Sequence, residues 1–228
     1  NLTLRNRVAM APMTRNFSPK GVPGENVVAY YRRRAEAGVG LIITEGTTVN
    51  HPGANGYPNV PAFHGDEALA GWKKVVDAVH EAGGAIFPQL WHVGAVRKEG
   101  TDPDPSVPGY SPSGLFAPGK PNGKAMSKED IQDVVKAFAD AAQDAKALGF
   151  DGVEILHRQM ESEDNGYLQK LKRAAFVNGV DLCGFSTHQG FLSPDAEVRQ
   201  KNIDHTIHCI ELAYKLGIPT MRVNTGTW

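Results

Sequence analysis

The sequence predicts an α/β protein of the TIM-type (β/α) barrel class. Apolar runs of strand length alternate with segments of helical spacing, and this alternation requires parallel strands joined by right-handed crossovers. No Gly-x-Gly-x-x-Gly follows the first strand and no Walker lysine loop occurs, so the signature of nucleotide-binding open sheets is missing. Six strands are recognisable, whereas a closed barrel has about eight. We therefore expect either a piece of a longer barrel or open sheet edges that pair with a second copy, giving a homo-oligomer.

Composition places the chain among ordinary globular proteins. Its 228 residues, 41% hydrophobic and 21% charged, predict a single domain over 1–228 with one sizeable core. The net charge is −1, and the densest basic cluster, Arg32–Arg34, is interpreted as a solvated helix face, so no nucleic-acid partner is expected. No apolar run reaches transmembrane length and the first residues lack a signal-peptide pattern, so we expect a cytoplasmic protein without a membrane partner.

The first half contains three predicted strands with a helix between each strand and the next. In chain order the strands and helices cover 7–13, 26–37, 41–45, 72–79 and 85–90. Gly83 and Gly84 end the second helix, and Pro88 removes a hydrogen-bond donor from the third strand, which predicts either a bulge or an exposed strand end. The stretch from Val93 to Ala125 is too long for an ordinary connection and predicts a functional loop, in which Arg97 is expected to be exposed.

The second half continues the alternation. In chain order its helices and strands cover 131–148, 152–156, 167–175, 180–186, 203–214 and 220–224. Ser127 and Asp130 predict a capping box for the first of these helices. Ser193-Pro194 is expected to open the last helix, with a buried stripe formed by Ile203, Ile207, Ile210 and Tyr214. Cys183 and Cys209 lack metal-type spacing and are interpreted as buried free thiols, and no metal site is predicted.

Several motifs occur in order in the first half: NRVAMAPMTR from Asn6, TEGT from Thr44, FPQLWHVG from Phe87, SPSG from Ser111 and GFDGVEI from Gly149. Through them, residues 1–155 resemble the old yellow enzyme family of FMN-dependent ene-reductases. The resemblance implies an FMN that transfers hydride to an activated alkene, a small-molecule substrate. It also implies that Pro12, Met13 and Thr14 line the flavin ring, that Gly46 lets the ring approach the backbone, and that Gln89 binds its pyrimidine edge.

The resemblance changes at the fourth strand. The family has a His after this strand, a His or Asn three residues later and a Gly-Tyr-Leu close behind, whereas here Leu156 precedes His157 and Tyr167 follows much later. His157 and Tyr167 are the candidate catalytic residues. A slip of one residue at a strand end turns a side chain to the opposite face, so we expect His157 to point away from the substrate position. The strands and Arg with which the family holds the flavin phosphate have no counterpart in this sequence.

A second resemblance covers residues 156–228. YLQKLKRAA from Tyr167, CGFSTHQGFLSPD from Cys183 and the stretch from Arg199 to Gly226 are similar to xylose-isomerase-like sugar phosphate isomerases and epimerases. This resemblance implies substrate contacts from His188 and Arg222, and the family's metal carboxylates are not matched. We therefore interpret the chain as an engineered or recombined chimera. The functional hypotheses are an FMN-dependent oxidoreductase, a non-catalytic scaffold without cofactor and, third, a sugar phosphate isomerase.

Overall fold

The computed structural model describes residues 2–157, 160, 162–177, 181–187 and 190–223. The chain divides into two compact units, here called the first unit (Leu2–Asp151) and the second unit (from Gly152 onward). The boundary lies at the start of the predicted fourth strand. The single domain over 1–228, with segments 1–155 and 156–228, stays a prediction.

The first unit is built on a parallel sheet with strand order β1-β2-β3. The strands are β1 (Ala9–Met10), β2 (Leu41–Thr48) and β3 (Ala85–Trp91), and the helices between them are α1 (Glu25–Glu36) and α2 (Asp66–Glu81). All eight residues of β2 are buried, and its apolar start, Leu41–Ile43, fits a strand that is covered on both faces. β1 is shorter than the predicted 7–13, because only Ala9 and Met10 pair with β2.

The pairing of β2 with β3 contains the predicted bulge. Ile43 pairs with Phe87 and Gly46 with Gln89, so two residues of β2 oppose the single residue Pro88. Proline has no amide to donate, and the ladder resumes when the Gln89 amide donates to Thr44 Oγ1 at 3.1 Å. The bulge thereby fixes how the C-terminal ends of both strands are aligned.

Helix α3 (Lys128–Leu148) completes the first unit. The capping box is confirmed: the Asp130 amide donates to Ser127 Oγ at 3.1 Å, and the Ser127 amide donates to the Asp130 carboxylate at 2.8 Å. Gly149 ends the helix in the left-handed conformation at φ 89°. The core combines apolar side chains of all three helices with β2 and β3, including Val27, Tyr31, Ile42, Trp72, Val75, Val79, Ile86, Ala141 and Phe150.

The long connection between β3 and α3 contains four short strands. β4 (Tyr110–Ser111) pairs with β7 (Lys124–Ala125), and β5 (Leu115–Ala117) pairs with β6 (Lys120–Pro121). The expectation that Arg97 is exposed in this loop is wrong, since its exposed fraction is 1%. Its guanidinium donates to five backbone carbonyls, those of Asn55, Thr101, Asp102, Asp104 and Val107. The loop folds around this side chain, which supplies the donors that its irregular backbone needs.

The second unit contains a parallel sheet of order β10-β9-β8. Its strands are β8 (Val153–Leu156), β9 (Leu182–Ser186) and β10 (Thr220–Arg222), with α4 (Asn165–Val177) and α5 (Ala196–Leu216) between them. Its core holds Leu168, Phe185, Cys209 and Leu212, and both cysteines are buried as predicted. The predicted helix stop at Asn178-Gly179 lies outside the described residues.

Two expectations for α5 are wrong. The helix begins at Ala196, and its N-cap is Asp195, whose Oδ1 accepts from the amides of Glu197 at 2.8 Å and Val198 at 3.3 Å. An aspartate capping two amides outcompetes the proline start predicted at Ser193-Pro194. The predicted inner stripe faces solvent, with Ile207 52% and Tyr214 85% exposed. The buried side is formed instead by Thr206, Cys209, Leu212, Ala213 and Leu216.

The two three-stranded sheets are parallel, and within each of them successive strands are joined through a helix, as the (β/α) barrel class predicts. Among the described residues, no helix combines the length and apolar character needed to cross a membrane.

Candidate functional site

The predicted flavin residues of the first unit lie at the C-terminal ends of three neighbouring parallel strands. Pro12, Met13 and Thr14 follow β1, while Gly46 of β2 pairs directly with Gln89 of β3. Thr14 is exposed, Met13 is 51% exposed, and Pro12 and Gln89 are half-buried. This sheet edge therefore offers an accessible apolar side chain beside a hydroxyl and an amide, at the place where barrel enzymes bind ligands.

A buried ion pair fixes the segment that carries Pro12, Met13 and Thr14. The Arg15 guanidinium lies 2.8 Å from Glu45 Oε1, and the Arg15 amide donates to Glu45 Oε2 at 3.0 Å. The Glu45 side chain has an exposed fraction of 0%. Arg15 also lies over the Tyr30 ring at 3.6 Å, and the Tyr31 hydroxyl accepts from the Glu45 amide at 2.8 Å.

Sequence reasoning missed this pair, although a carboxylate at the end of an apolar strand signalled a buried partner. Burial, followed by the negative charge of Glu45, raises the pKa of Tyr31 far above its ordinary value, so its hydroxyl stays protonated. The segment after β1 is thus anchored to β2 through Arg15, the residue that follows Thr14 in the sequence.

The structure gives Gly46 a second reason to be glycine. A Cβ at Gly46 would stand 2.5 Å from a ring atom of Trp91. Trp91 in turn stacks on Tyr57, with ring centroids 5.4 Å apart. The indole ring of Trp91 therefore fills the space that a side chain at position 46 would occupy. The approach of a flavin to the backbone at Gly46 stays a prediction.

A histidine pair lies in the loops beyond β2 and β3. His92 Nε2 and His51 Nδ1 are 3.0 Å apart, and the Tyr110 ring packs edge-on against His51. His51 also lines a cleft of about 730 Å³ together with His64 and residues of 48–62 and 102–107. None of Pro12, Met13, Thr14, Gly46 and Gln89 lines this cleft, so it is distinct from the strand-end residues.

The histidine pair predicts a pH dependence of stability. Burial, together with the adjacent His51, lowers the pKa of His92 to about 4. Because the unfolded chain binds that proton near the ordinary histidine pKa of about 6.5, the free energy of unfolding should fall as the pH drops from about 6.5 toward about 4, by up to about 3 kcal/mol. Urea unfolding at several pH values measures this slope. His92→Gln should flatten it, and an unchanged slope in that variant would assign the effect to other groups.

In the second unit, His157 lies on the helix side of the sheet. Ile155 of β8 packs into the core of this unit. The His157 ring packs against Phe185 and against His205 of α5, with centroids 5.8 Å and 4.9 Å apart. Its Nε2 lies 2.6 Å from Glu163 Oε1. The expectation that His157 points away from the substrate position stays a prediction.

Two other predicted site residues of this unit, Tyr167 and Arg222, do not share one location in the structure. Tyr167 lies in the first turn of α4, half-buried against the same core, which is a packing position. Arg222 ends β10 and is paired in register with Ser186, and its carbonyl accepts from the Thr187 hydroxyl at 3.2 Å. Ser186 also donates to the Glu154 carboxylate, so a polar edge follows these strands. His188 lies outside the described residues.

Comparison with known proteins shows the family of this chain. Residues 1–171 match the NADH:flavin oxidoreductase / NADH oxidase family, which covers more than half of the chain. The chain belongs to this flavin oxidoreductase family. Residues 142–228 also match the xylose isomerase-like TIM barrel family, so the two matches overlap around the predicted change of resemblance.

Individual relatives agree with this membership. The chain is 40% identical over 166 residues to 12-oxophytodienoate reductase 7 of Oryza sativa subsp. japonica, covering 67% of this chain and 41% of the relative. It is also 40% identical over 172 residues to chanoclavine-I aldehyde reductase of Penicillium roqueforti. That match covers 73% of this chain and 44% of the relative. The chain thus spans about two fifths of the length of these curated flavin oxidoreductases.

Solved structures of the family show the same fold. Morphinone reductase superposes with a TM-score of 0.74 at 31% identity, over 100% of this chain and 70% of that chain. An old yellow enzyme homologue from Zymomonas mobilis superposes with a TM-score of 0.70 at 27% identity. That match covers 96% of this chain and 69% of the homologue. The (β/α) barrel class predicted from the sequence is therefore confirmed.

The chemistry of the strand-end side chains fits the ring of a flavin. A flavin ring needs an apolar surface for its face and a few hydrogen-bonding groups for its edge, and Met13, Thr14 and Gln89 supply both kinds of contact. Two arginines of this unit have other roles, since Arg15 binds Glu45 and Arg97 binds loop carbonyls. The fit is therefore to the ring, and neither arginine is placed to bind a phosphate.

Proposed function

We propose that the chain binds FMN through the ring-contacting residues of the first unit and derives from an FMN-dependent ene-reductase. The observation that carries this proposal is the direct pairing of Gly46 with Gln89 beside a segment, Pro12 to Thr14, that the Arg15–Glu45 pair anchors. These residues, which lie on or directly after three neighbouring strands, then form one edge of the sheet. Membership of a flavin oxidoreductase family indicates that the ligand is a flavin.

Each side chain has a separate role in this proposal. Met13 covers the face of the ring, Thr14 hydrogen-bonds its central part, and the Gln89 amide binds the pyrimidine edge. When bound, FMN supplies the capacity to accept a hydride from a nicotinamide cofactor and to pass it to an activated alkene. The Arg15–Glu45 pair holds the segment after β1 in place before any ligand arrives, so little ordering is required on binding.

We further propose that the substrate-activating residues of the fourth strand are lost. His157 packs against Phe185 and His205 of α5, and Tyr167 packs in the first turn of α4, so both side chains are engaged in packing within the second unit. The overlap of the two family matches over 142–171 supports a recombined origin with a junction in this region. Alkene reduction by this chain should consequently be slow even with the cofactor bound.

A flavin titration tests the ring site. The purified chain is titrated into FMN and, separately, into riboflavin, and quenching of flavin fluorescence is followed. Both flavins should bind with dissociation constants within about tenfold of each other, because the side chains described contact the ring. Gln89→Leu should raise both dissociation constants by about tenfold, because about one hydrogen bond to the flavin is lost. Gln143→Leu, on the exposed side of α3, should change neither dissociation constant.

The outcomes separate the functional hypotheses. Absence of quenching by the wild-type chain overturns the flavin proposal and leaves a non-catalytic scaffold. Binding that is unaffected by Gln89→Leu places the flavin elsewhere. If flavin is bound, oxidation of NADPH with a simple cyclic enone measures turnover, and rapid enone reduction would contradict the proposed loss of the fourth-strand residues.

A further inference from the structure

Three potential metal ligands converge in the second unit. His157 follows β8, while His205 and Cys209 lie on α5. One ligand atom from each side chain can be chosen so that all three lie within 4.8 Å of one another. From these contacts we propose that His157, His205 and Cys209 bind a zinc ion that links the end of β8 to α5.

The two helical ligands have the spacing that a metal requires. Residues four apart lie on the same side of a helix, so His205 and Cys209 project together. Cys209 Sγ is 3.4 Å from His205 Nε2. Ligand atoms at the usual zinc distances of about 2.0 Å to nitrogen and about 2.3 Å to sulfur stand roughly 3.6 Å apart on a tetrahedron. This pair therefore already spans one tetrahedral edge.

His157 is oriented toward this pair by a carboxylate. Glu163 Oε1 lies 2.6 Å from His157 Nε2, and Glu163 Oε2 lies 2.7 Å from His208 Nε2. Hydrogen bonds from His208 and then from His157 lower the pKa of Glu163, so the carboxylate is charged at neutral pH. Carboxylates that hold a metal-binding imidazole in place are a recurrent feature of zinc sites. Glu163 is a positioning residue in this arrangement.

The ligand set selects the class of metal. One sulfur and two imidazole nitrogens suit zinc and chemically similar ions, whereas magnesium and calcium prefer oxygen ligands. Cys209 has an exposed fraction of 0% and the His157 side chain one of 14%, so the site is largely shielded from water. Burial, with a further contribution from Glu163, raises the pKa of the Cys209 thiol to about 11. Zinc binding at neutral pH therefore releases a proton from this thiol.

Cobalt(II) is the probe that tests the site, because thiolate-bound tetrahedral cobalt has visible bands and a near-ultraviolet charge-transfer band. The full chain is treated with a chelator, desalted and titrated with cobalt(II), then with zinc(II). We expect both kinds of band at one equivalent of cobalt and their loss as zinc displaces it. Cys209→Ser should abolish the charge-transfer band, and Glu163→Gln should weaken cobalt binding about tenfold.

Cys183→Ser is the matched control, since Cys183 is the other buried cysteine of this unit and lies on β9 outside the cluster. That variant should keep both bands. His205→Gln provides a second ligand variant in case Cys209→Ser fails to fold, and it should weaken cobalt binding at least tenfold. Absence of cobalt bands in the wild-type chain, or a charge-transfer band that disappears in Cys183→Ser and persists in Cys209→Ser, would overturn the proposal.

Discussion

Replacing Glu45 with Gln is expected to lower the free energy of unfolding of the first unit by about 3 kcal/mol. The side chain is 0% exposed and accepts three hydrogen bonds from Arg15, at 3.0, 3.0 and 2.8 Å. Gln preserves the shape but removes the charge, which leaves a nearly buried guanidinium without its counterion. Urea unfolding followed by tryptophan fluorescence measures the loss, because Trp72 and Trp91 both lie in this unit.

Glu36→Gln is the matched control for this change. Glu36 pairs with Arg32 at the same 2.8 Å distance, but both side chains are about half exposed, at 53% and 46%. Exposed pairs one helical turn apart contribute about 0.5 kcal/mol or less. Equal effects of the two substitutions would contradict the role given to burial, and with it the anchoring of the segment that carries Thr14.

Arg97→Met is also expected to lower the free energy of unfolding of the first unit by about 3 kcal/mol, but for a different reason. The substitution keeps much of the aliphatic part of the side chain and removes donors to five backbone carbonyls. Carbonyls that lose their donors either stay unsatisfied or move toward water, which opens the loop. Limited proteolysis should therefore show faster cleavage within 98–125, together with a lower urea midpoint.

Arg33→Met on α1 is the control for Arg97→Met. Arg33 is exposed and lies on the solvated side of the helix, so its replacement should change the free energy of unfolding by about 0.5 kcal/mol or less. If Arg97→Met left both the urea midpoint and the cleavage rate of the loop unchanged, the loop would not depend on this side chain.

Local rules predicted the parts of the fold that short stretches of sequence determine. The capping box at Ser127 depends on two residues three positions apart, and the bulge opposite Pro88 depends on one missing amide. The grouping of Gly46 with Gln89 came instead from the family resemblance, and it agrees with the rule that the C-terminal ends of parallel strands meet at one edge.

Features that depend on distant partners were missed. The exposure predicted for Arg97 ignored carbonyls up to 42 residues away, which only the folded loop brings together. The stripe predicted for α5 was Ile203, Ile207, Ile210 and Tyr214, whereas Cys209 and Leu212 face the core. Spacing within one helix becomes informative only when the buried side is known.

The central claim is that the first unit retains the ring site of a flavin oxidoreductase. The absorption spectrum of the purified chain, recorded as isolated and again after incubation with FMN and desalting, tests this claim most directly. The account predicts visible flavin bands in the protein fraction after incubation, and weaker bands in Gln89→Leu. A colourless protein in both conditions would contradict it.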